Sequence, residues 1–310
     1  MSTPIELELS SLTPAKQTFV SIGMFDGLHM GHQTLVRRLA EQAREKKMLS
    51  AVITFKQHPS TLLVSGKSTP LLISLDERIR LLKDIPVDLV IALTFSPELA
   101  ALGAQPFVSM LQRYLKMQGM ILGWDFALGH KREGSLETLH DLGQQLGFST
   151  EVFSPVKYNN EIVSSTAIRQ ALTKGDISTA NAMLTRPFSL EGTIVSGDGR
   201  GAKLGFPTAN LMLTPQQALP ADGAYAAFAT LDGQIHHAAT FIGTRPTFSG
   251  VERIVETHLL DLSRNLYNHN LKLAIIERLR GVEKFPDAKA LQSQIALDIL
   301  QVRQILSAHN

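Results

Sequence analysis

FVSIGMFDGLHMGHQTLVRRLAEQAREKK, Phe19 to Lys47, begins as an apolar, β-rich run and ends with helical periodicity. Phe19–Met24 reads as a strand. His32–Lys47 reads as a helix, with Leu35, Val36, Leu39, Ala40 and Ala43 on one face. Between them lies GMFDGLHMGH, Gly23–His32, rich in glycine and placed where a strand hands over to a helix. In an open parallel sheet, that edge is where ligands bind.

The same alternation continues on either side. Leu49–Phe55, Leu89–Phe95, Gly119–Gly123 and Ser149–Phe153 read as further strands. Leu75–Asp84, Gln105–Lys116 and Ser135–Leu146 read as helices between them, the first with Ser74 and Glu77 as a capping box. Continuous apolar strands separated by helices predict an α/β doubly wound parallel sheet covered on both faces. Near Thr185–Pro187 the pattern changes. Leu190–Val195, Gly223–Leu231, Ile235–Gly243, Ile254–Leu262 and Leu271–Leu279 are short strands punctuated by glycine, which predicts a mainly antiparallel β-barrel. A C-terminal helix over Asp287–Ser307 carries Leu291, Ile295, Ile299, Val302 and Leu306 in one stripe and should dock on that barrel. Two domains are expected, residues 1–185 and 186–310, as the length of 310 residues suggests.

Composition narrows the function. Hydrophobic residues make up 44% and charged residues 19%, enough for two cores. With 30 Lys+Arg against 28 Asp+Glu, the net charge is +2, and no dense basic run stands out. Neither a nucleic-acid groove nor an anionic membrane surface is indicated, and no protein partner is implied. Cysteine is absent, which excludes disulfides, thiolate zinc sites and a cysteine nucleophile. The N-terminus lacks the basic-then-apolar order of a signal peptide, and no apolar run reaches the ~18 residues of a membrane span. A cytoplasmic location is expected.

In the first glycine loop, Gly27 and Gly31 let a phosphate approach the backbone. The helix start offers free N–H groups and a positive dipole end. His29 and His32 add two imidazoles on that edge. No enzyme nucleophile is needed if a substrate phosphate attacks a nucleotide α-phosphate; the protein then positions groups and stabilises charge. The bland alternative is a glycine turn with two incidental histidines. Zinc fits less well, because HEXXH spacing and its glutamate are missing. A second element, VSSTAIR from Val163 to Arg169, opens a short helix that Ser164 or Ser165 can cap. Arg169 in its early turns could clamp a pyrophosphate, although a plain capped helix explains the residues too. SGKST, Ser65–Thr69, lacks the upstream glycine of a Walker A loop and reads as a solvated loop.

In the second half, GDGRGAKLGFPTANL, Gly197–Leu211, collects Gly197, Gly199, Gly201 and Gly205 in a loop able to wrap phosphates. Thr208 and Asn210 alternate, so both point the same way on an extended segment. Their oxygens suit Mg²⁺ beside phosphate. In VETHLLD, Val255–Asp261, Glu256 and His258 share a strand face, where Glu256 is either an exposed ion-pairing residue or a base for an alcohol.

These blocks resemble the bacterial bifunctional riboflavin kinase/FMN adenylyltransferase (FAD synthetase) family. HXGH and SSTXIR, with TFKQHP (Thr54–Pro59), GWDFALGHKREG (Gly123–Gly134) and GDIS (Gly175–Ser178), look like its nucleotidyltransferase module. GFPTAN, FIGTRPTF (Phe241–Phe248), VETHLLD and RGVEKFP look like its kinase module. The resemblance implies ATP-dependent phosphorylation of riboflavin to FMN, then transfer of AMP from ATP to FMN, giving FAD and pyrophosphate. It implies that His29, His32 and Arg169 stabilise the reacting phosphates. Gly23, Phe25, Asp26, Gly27, Gly31, His58, Asp125, Ser164, Ser165 and Thr166 would contact nucleotide or flavin. On the kinase side Gly199, Gly201, Lys203, Gly205, Phe206 and Pro207 would hold nucleotide, Thr208 and Asn210 would bind Mg²⁺–ATP, and Glu256 would be general base. Met24, Leu128, Ala202, Phe241 and Leu262 depart from the family's usual residues. The alternative is a riboflavin kinase whose N-terminal half is structural or regulatory.

Overall fold

The computed structural model describes residues 4–57, 69–130, 133–197, 199–214, 216–247, 250–262 and 264–309. The chain divides into two compact units, Met1–Val163 and Ser164–Asn310.

The first unit is built on a five-stranded parallel sheet of β1 (Thr18–Ile22), β2 (Leu49–Phe55), β3 (Leu89–Leu93), β4 (Met117–Gly123) and β5 (Ser149–Phe153). Its order is β3-β2-β1-β4-β5, all neighbours parallel. Every residue of β1 is buried, as expected for a strand covered on both faces. Val20 and Ile22 pack with α1 (Pro4–Ser10), α5 (Ala104–Leu115) and α6 (Leu136–Leu146) through Leu9, Leu111 and Leu139. Phe19 faces the opposite layer, with α2 (Met30–Glu45) and α3 (Leu75–Lys83) contributing Leu35, Val36, Leu39 and Leu82. A one-turn 3-10 helix (Asp26–Leu28), a short helix α4 (Pro97–Ala101) and a two-stranded hairpin, β6 (Lys157–Tyr158) with β7 (Glu161–Ile162), complete the described elements of this unit. Asn159 and Asn160 make the hairpin turn at positive φ, a conformation asparagine tolerates.

Chain direction reverses sides between β1 and β4. The chain leaves β1 for β2 on one side and later returns to β4 on the other. The ends of β1 and β4 therefore flank the crevice in which such sheets take ligands.

The second unit begins with α7 (Ser165–Lys174) and α8 (Ile177–Leu184). A closed six-stranded barrel follows, in the order β10-β11-β12-β9-β8-β13. Its strands are β8 (Phe188–Val195), β9 (Ala209–Leu213), β10 (Gly223–Leu231), β11 (Gln234–Thr247), β12 (Gly250–Leu259) and β13 (Asn270–Arg280), with a one-turn helix α9 (Arg200–Lys203) between the first two. Alternation decides what fills the barrel. Val255, Thr257 and Leu259 are buried, and the Thr240 and Thr257 hydroxyls meet at 2.9 Å. Glu256 and His258, one residue out of step, take the other face. The final helix α10 (Ala288–Ser307) docks by Ile299, Val302 and Leu306 against Ala226, Phe228 and Leu260. Helices α7 and α8 belong with this barrel: Asn181 Nδ2 donates to the Ile275 carbonyl, and the Phe188 amide donates to Asn181 Oδ1. The second unit thus begins two helices before the change of pattern near Thr185.

Candidate functional site

The residues that the sequence singles out fall into two groups. The first follows β1. Three of its residues, Phe25, Gly27 and Leu28, have positive φ of 49°, 78° and 36°. For phenylalanine and leucine such values are strained, and strain of this kind concentrates at functional sites. The turn is held from beneath: the Asp26 carboxylate, 2% exposed, accepts the amides of Leu72 and Ile73 at 3.0 and 3.3 Å. Gly23 leaves room for the Phe25 ring, 3.3 Å from where a Cβ would sit.

His29 caps α2. Its Nδ1 accepts the His32 amide hydrogen at 3.3 Å. In the neutral ring the proton must then sit on Nε2, which makes that nitrogen a donor. The His29 and His32 rings stack at 3.6 Å with 18° between their planes, and Phe25 meets His32 edge-on. Gly31 permits this stacking, since a Cβ there would stand 3.3 Å from the His29 ring. Two imidazoles this close do not both carry charge. Burial, then the neighbouring His29 and Arg78, hold His32 well below the usual histidine pKa. Its Nδ1 is enclosed without a hydrogen-bond partner among the described residues. His32 is therefore held neutral at this edge of the sheet, stacked on a His29 ring whose Nε2 carries a hydrogen.

Asp125 is exposed just beyond β4, on the same edge. His58 lies outside the described residues. Ser164 provides the cap of α7, accepting the Ala167 amide at 3.1 Å. Ser165 and Thr166 form the first turn, and Arg169 lies one turn further on.

The second constellation lies wholly in the barrel unit. A cavity of about 440 Å³ is lined by Gly199, Gly201, Phe206, Thr208, Asn210, Phe241, Glu256, His258, Arg280 and Asp298, among others. Antiparallel register sets Glu256 directly opposite Asn210 on one side and Phe241 on the other. Gly201 brings its bare backbone against the Thr208 hydroxyl, 3.0 Å from a notional Cβ, and Gly197 does the same for the Asn210 amide. His258 Nδ1 donates to the Pro207 carbonyl at 2.7 Å, pinning the FPTAN strand to β12. Gly199 and Gly205 adopt φ of 65° and 88°. Lys203 is exposed and, like Gly205 and Pro207, is not part of the cavity lining. The N-terminal half of α10 contributes Leu291 and Ile295 to the lining.

Thr208 and Asn210 offer hard oxygens and no sulfur or imidazole, a donor set that fits Mg²⁺. Among the described residues no group of three or more His, Asp or Glu could hold an ion by itself, so substrate oxygens would have to complete the shell.

A family model described as FAD synthetase matches residues 12–167, and one described as riboflavin kinase matches residues 184–306. A bifunctional riboflavin kinase/FMN adenylyltransferase of Escherichia coli K12 is 35% identical over 95% of this chain and 94% of its own length. The chain belongs to the bifunctional riboflavin kinase/FMN adenylyltransferase family. Another riboflavin kinase/FMN adenylyltransferase, from Haemophilus influenzae, is 33% identical, covering 90% of this chain and 91% of that one. A crystal structure described as a macrolide-efflux protein from Streptococcus pneumoniae has a TM-score of 0.86 and 28% identity, covering 95% of this chain and 96% of its own. Among the described residues no helix is long and apolar enough to cross a membrane.

One part of the kinase-side cavity was not legible in the sequence of this family member. Arg280 binds Asp298 bidentately at 3.0 and 2.8 Å, and Gln294 Nε2 donates to the same carboxylate at 2.8 Å. The partners lie on β13 and α10, and no local periodicity links them.

Proposed function

We propose how the residues of this chain carry the two reactions of its family: ATP-dependent phosphorylation of riboflavin to FMN, and adenylylation of FMN to FAD with release of pyrophosphate. Residues 186–310 carry the kinase step and residues 1–185 the adenylyl transfer. In the first reaction Glu256 accepts the proton of the riboflavin 5′-hydroxyl as that oxygen attacks the ATP γ-phosphorus and ADP leaves. Support comes from one observation above all: strand register places Glu256 opposite Asn210 in a cavity that Thr208 also lines. Thr208 and Asn210 would hold Mg²⁺, which when bound neutralises phosphate charge. The backbone of Gly199 and Gly201, with Phe206, flanks the nucleotide; Lys203, Gly205 and Pro207 shape that loop.

In the second reaction a phosphate oxygen of FMN attacks the ATP α-phosphorus, the bond to the β-phosphate bridging oxygen breaks, and pyrophosphate leaves. His29 and His32 donate N–H groups to the charge that develops there. Gly23, Phe25, Asp26, Gly27 and Gly31 form and support the loop for the nucleotide. Asp125 and His58 contact nucleotide or flavin, while Ser164, Ser165, Thr166 and Arg169 hold the ATP phosphates. The protein works in the cytoplasm.

Incubation with riboflavin, ATP and Mg²⁺, followed by chromatography, should give FMN and then FAD. FMN alone would favour a kinase with a structural first half. Glu256→Gln should lower FMN formation by roughly 10²–10⁴-fold while FAD formation from supplied FMN persists. Wild-type kinase activity in that variant would remove Glu256 from the mechanism.

A further inference from the structure

Arg78 on α3 is fully buried and is the largest such side chain among the described residues. A cation without water must be held, or it destabilises the fold. Its Nη1 donates to Thr54 Oγ1 at 3.0 Å and to the Phe55 carbonyl at 2.8 Å. The Thr54 hydroxyl in turn donates a hydrogen bond to the Met24 carbonyl at 3.1 Å. A relay thus runs from α3 through the end of β2 into the loop that carries His29. A second tie runs the other way, from the Asp26 carboxylate to the Leu72 and Ile73 amides just ahead of α3. Asp26 also favours the charged form of Arg78, against its burial.

Resting on the adenylyl-transfer reading above, we propose that Arg78 is a positioning residue: through Thr54 and the Met24 carbonyl it fixes the height at which the Gly23–His32 segment, the loop with the first turn of α2, presents its two imidazoles. A misplacement of ~1 Å in such a group can lower a rate about 10²-fold, so a relay of two hydrogen bonds is enough to matter. The Arg78 Nε has no hydrogen-bond partner among the described residues, so the guanidinium is not saturated and its Nη1 anchors it on the end of β2.

The test uses the full chain in four forms: wild type, Arg78→Met, Arg78→Lys and Thr54→Val. FAD formation from FMN and FMN formation from riboflavin are measured on the same samples. Arg78→Met should lower kcat for FAD formation by ~10–100-fold, with KM for ATP changing less than about threefold, the pattern of a contact felt in the transition state. Arg78→Lys keeps charge and a donor and should recover part of that loss. Thr54→Val leaves the cation in place but breaks the relay, and it should lower the same kcat. Thr54→Val at wild-type kcat overturns the proposal even where Arg78→Met fails to fold. An Arg78→Met loss expressed wholly in KM, or matched by equal loss of FMN formation, also overturns it. Wild-type protein that made FMN but no FAD would overturn the adenylyl-transfer reading and this inference with it.

Discussion

His29 cannot take a proton through Nδ1, because that nitrogen already accepts the His32 amide. What it can offer a phosphate is the hydrogen on Nε2. His29→Ala should therefore reduce FAD formation from FMN by ~10²–10³-fold, the usual effect of losing one charge-stabilising donor. Riboflavin phosphorylation in the same sample should be unchanged, and a parallel fall would point to misfolding. His32 has a consequence for stability as well. Its folded pKa is depressed, so the unfolded chain binds the proton more readily, and the stability that a neutral His32 maintains is lost as pH falls below about 6.5. The slope from this one group is at most about 1.4 kcal/mol per pH unit. Urea melts between pH 5.5 and 7.5 should show wild type losing stability faster on acidification than His32→Gln; identical slopes would assign the pH dependence elsewhere. Residue identities were legible from the HXGH spacing, and so was their edge of the sheet. Their stacking and tautomer were not, because both depend on the rotamer that the Gly31 backbone permits. Arg78 was hidden for a related reason: in LDERIRLLK it reads as one more charged surface residue, and only the tertiary fold turns it inward.

Helix α2 sets the geometry of the histidine pair and pays a conformational toll for it at Gly31. Alanine there should improve helix stability by up to about 1 kcal/mol. Its Cβ would also stand 3.3 Å from the His29 ring and push the pair apart. Gly31→Ala is thus expected to melt no lower than wild type in calorimetry yet make FAD at least ~10-fold more slowly. Full activity would mean the stack can give way. Most elements could be read because their signal is local. β2, β5 and β10 have the bounds that alternation and apolar runs suggest, and Ser74, Ser135 and Asp287 cap α3, α6 and α10. Helix α1 is different. PIELELS carries little periodic signal, and it is held by Ile5 and Leu9 in the core and by Glu8, which bonds Lys56 and Thr94 across the chain. Helix α8 lay concealed behind what reads as a GD turn. Its Ile177, Ala180, Met183 and Leu184 are buried, a pattern too short to stand out.

At the scale of the molecule, the change of pattern at Thr185 and the start of the second compact unit at Ser164 lead to different fragments. Residues 186–310 would lose α7 and α8, together with the bonds from Asn181 to Ile275 and Phe188 and from the Ala221 amide to the Leu172 carbonyl. Residues 164–310 keep them. Both fragments contain Thr208, Asn210 and Glu256, so both should phosphorylate riboflavin, but the longer should show the higher melting temperature. Equal melting temperatures would mean that the two helices add nothing to the barrel. A different liability follows from how the two sheets end. The barrel closes on itself, with β13 bonded to both β8 and β10, whereas the parallel sheet stops at β3 and β5. β5 bears an exposed Val152, with Glu151 beside it tied to Arg38 at 3.1 Å. Unpaired strand margins are templates for other chains, and a charge at the rim is one of the few guards against that. Of the two halves made separately, the one with the histidine loop is therefore the one prone to clump, and storage in high salt, which screens that charge, would hasten it.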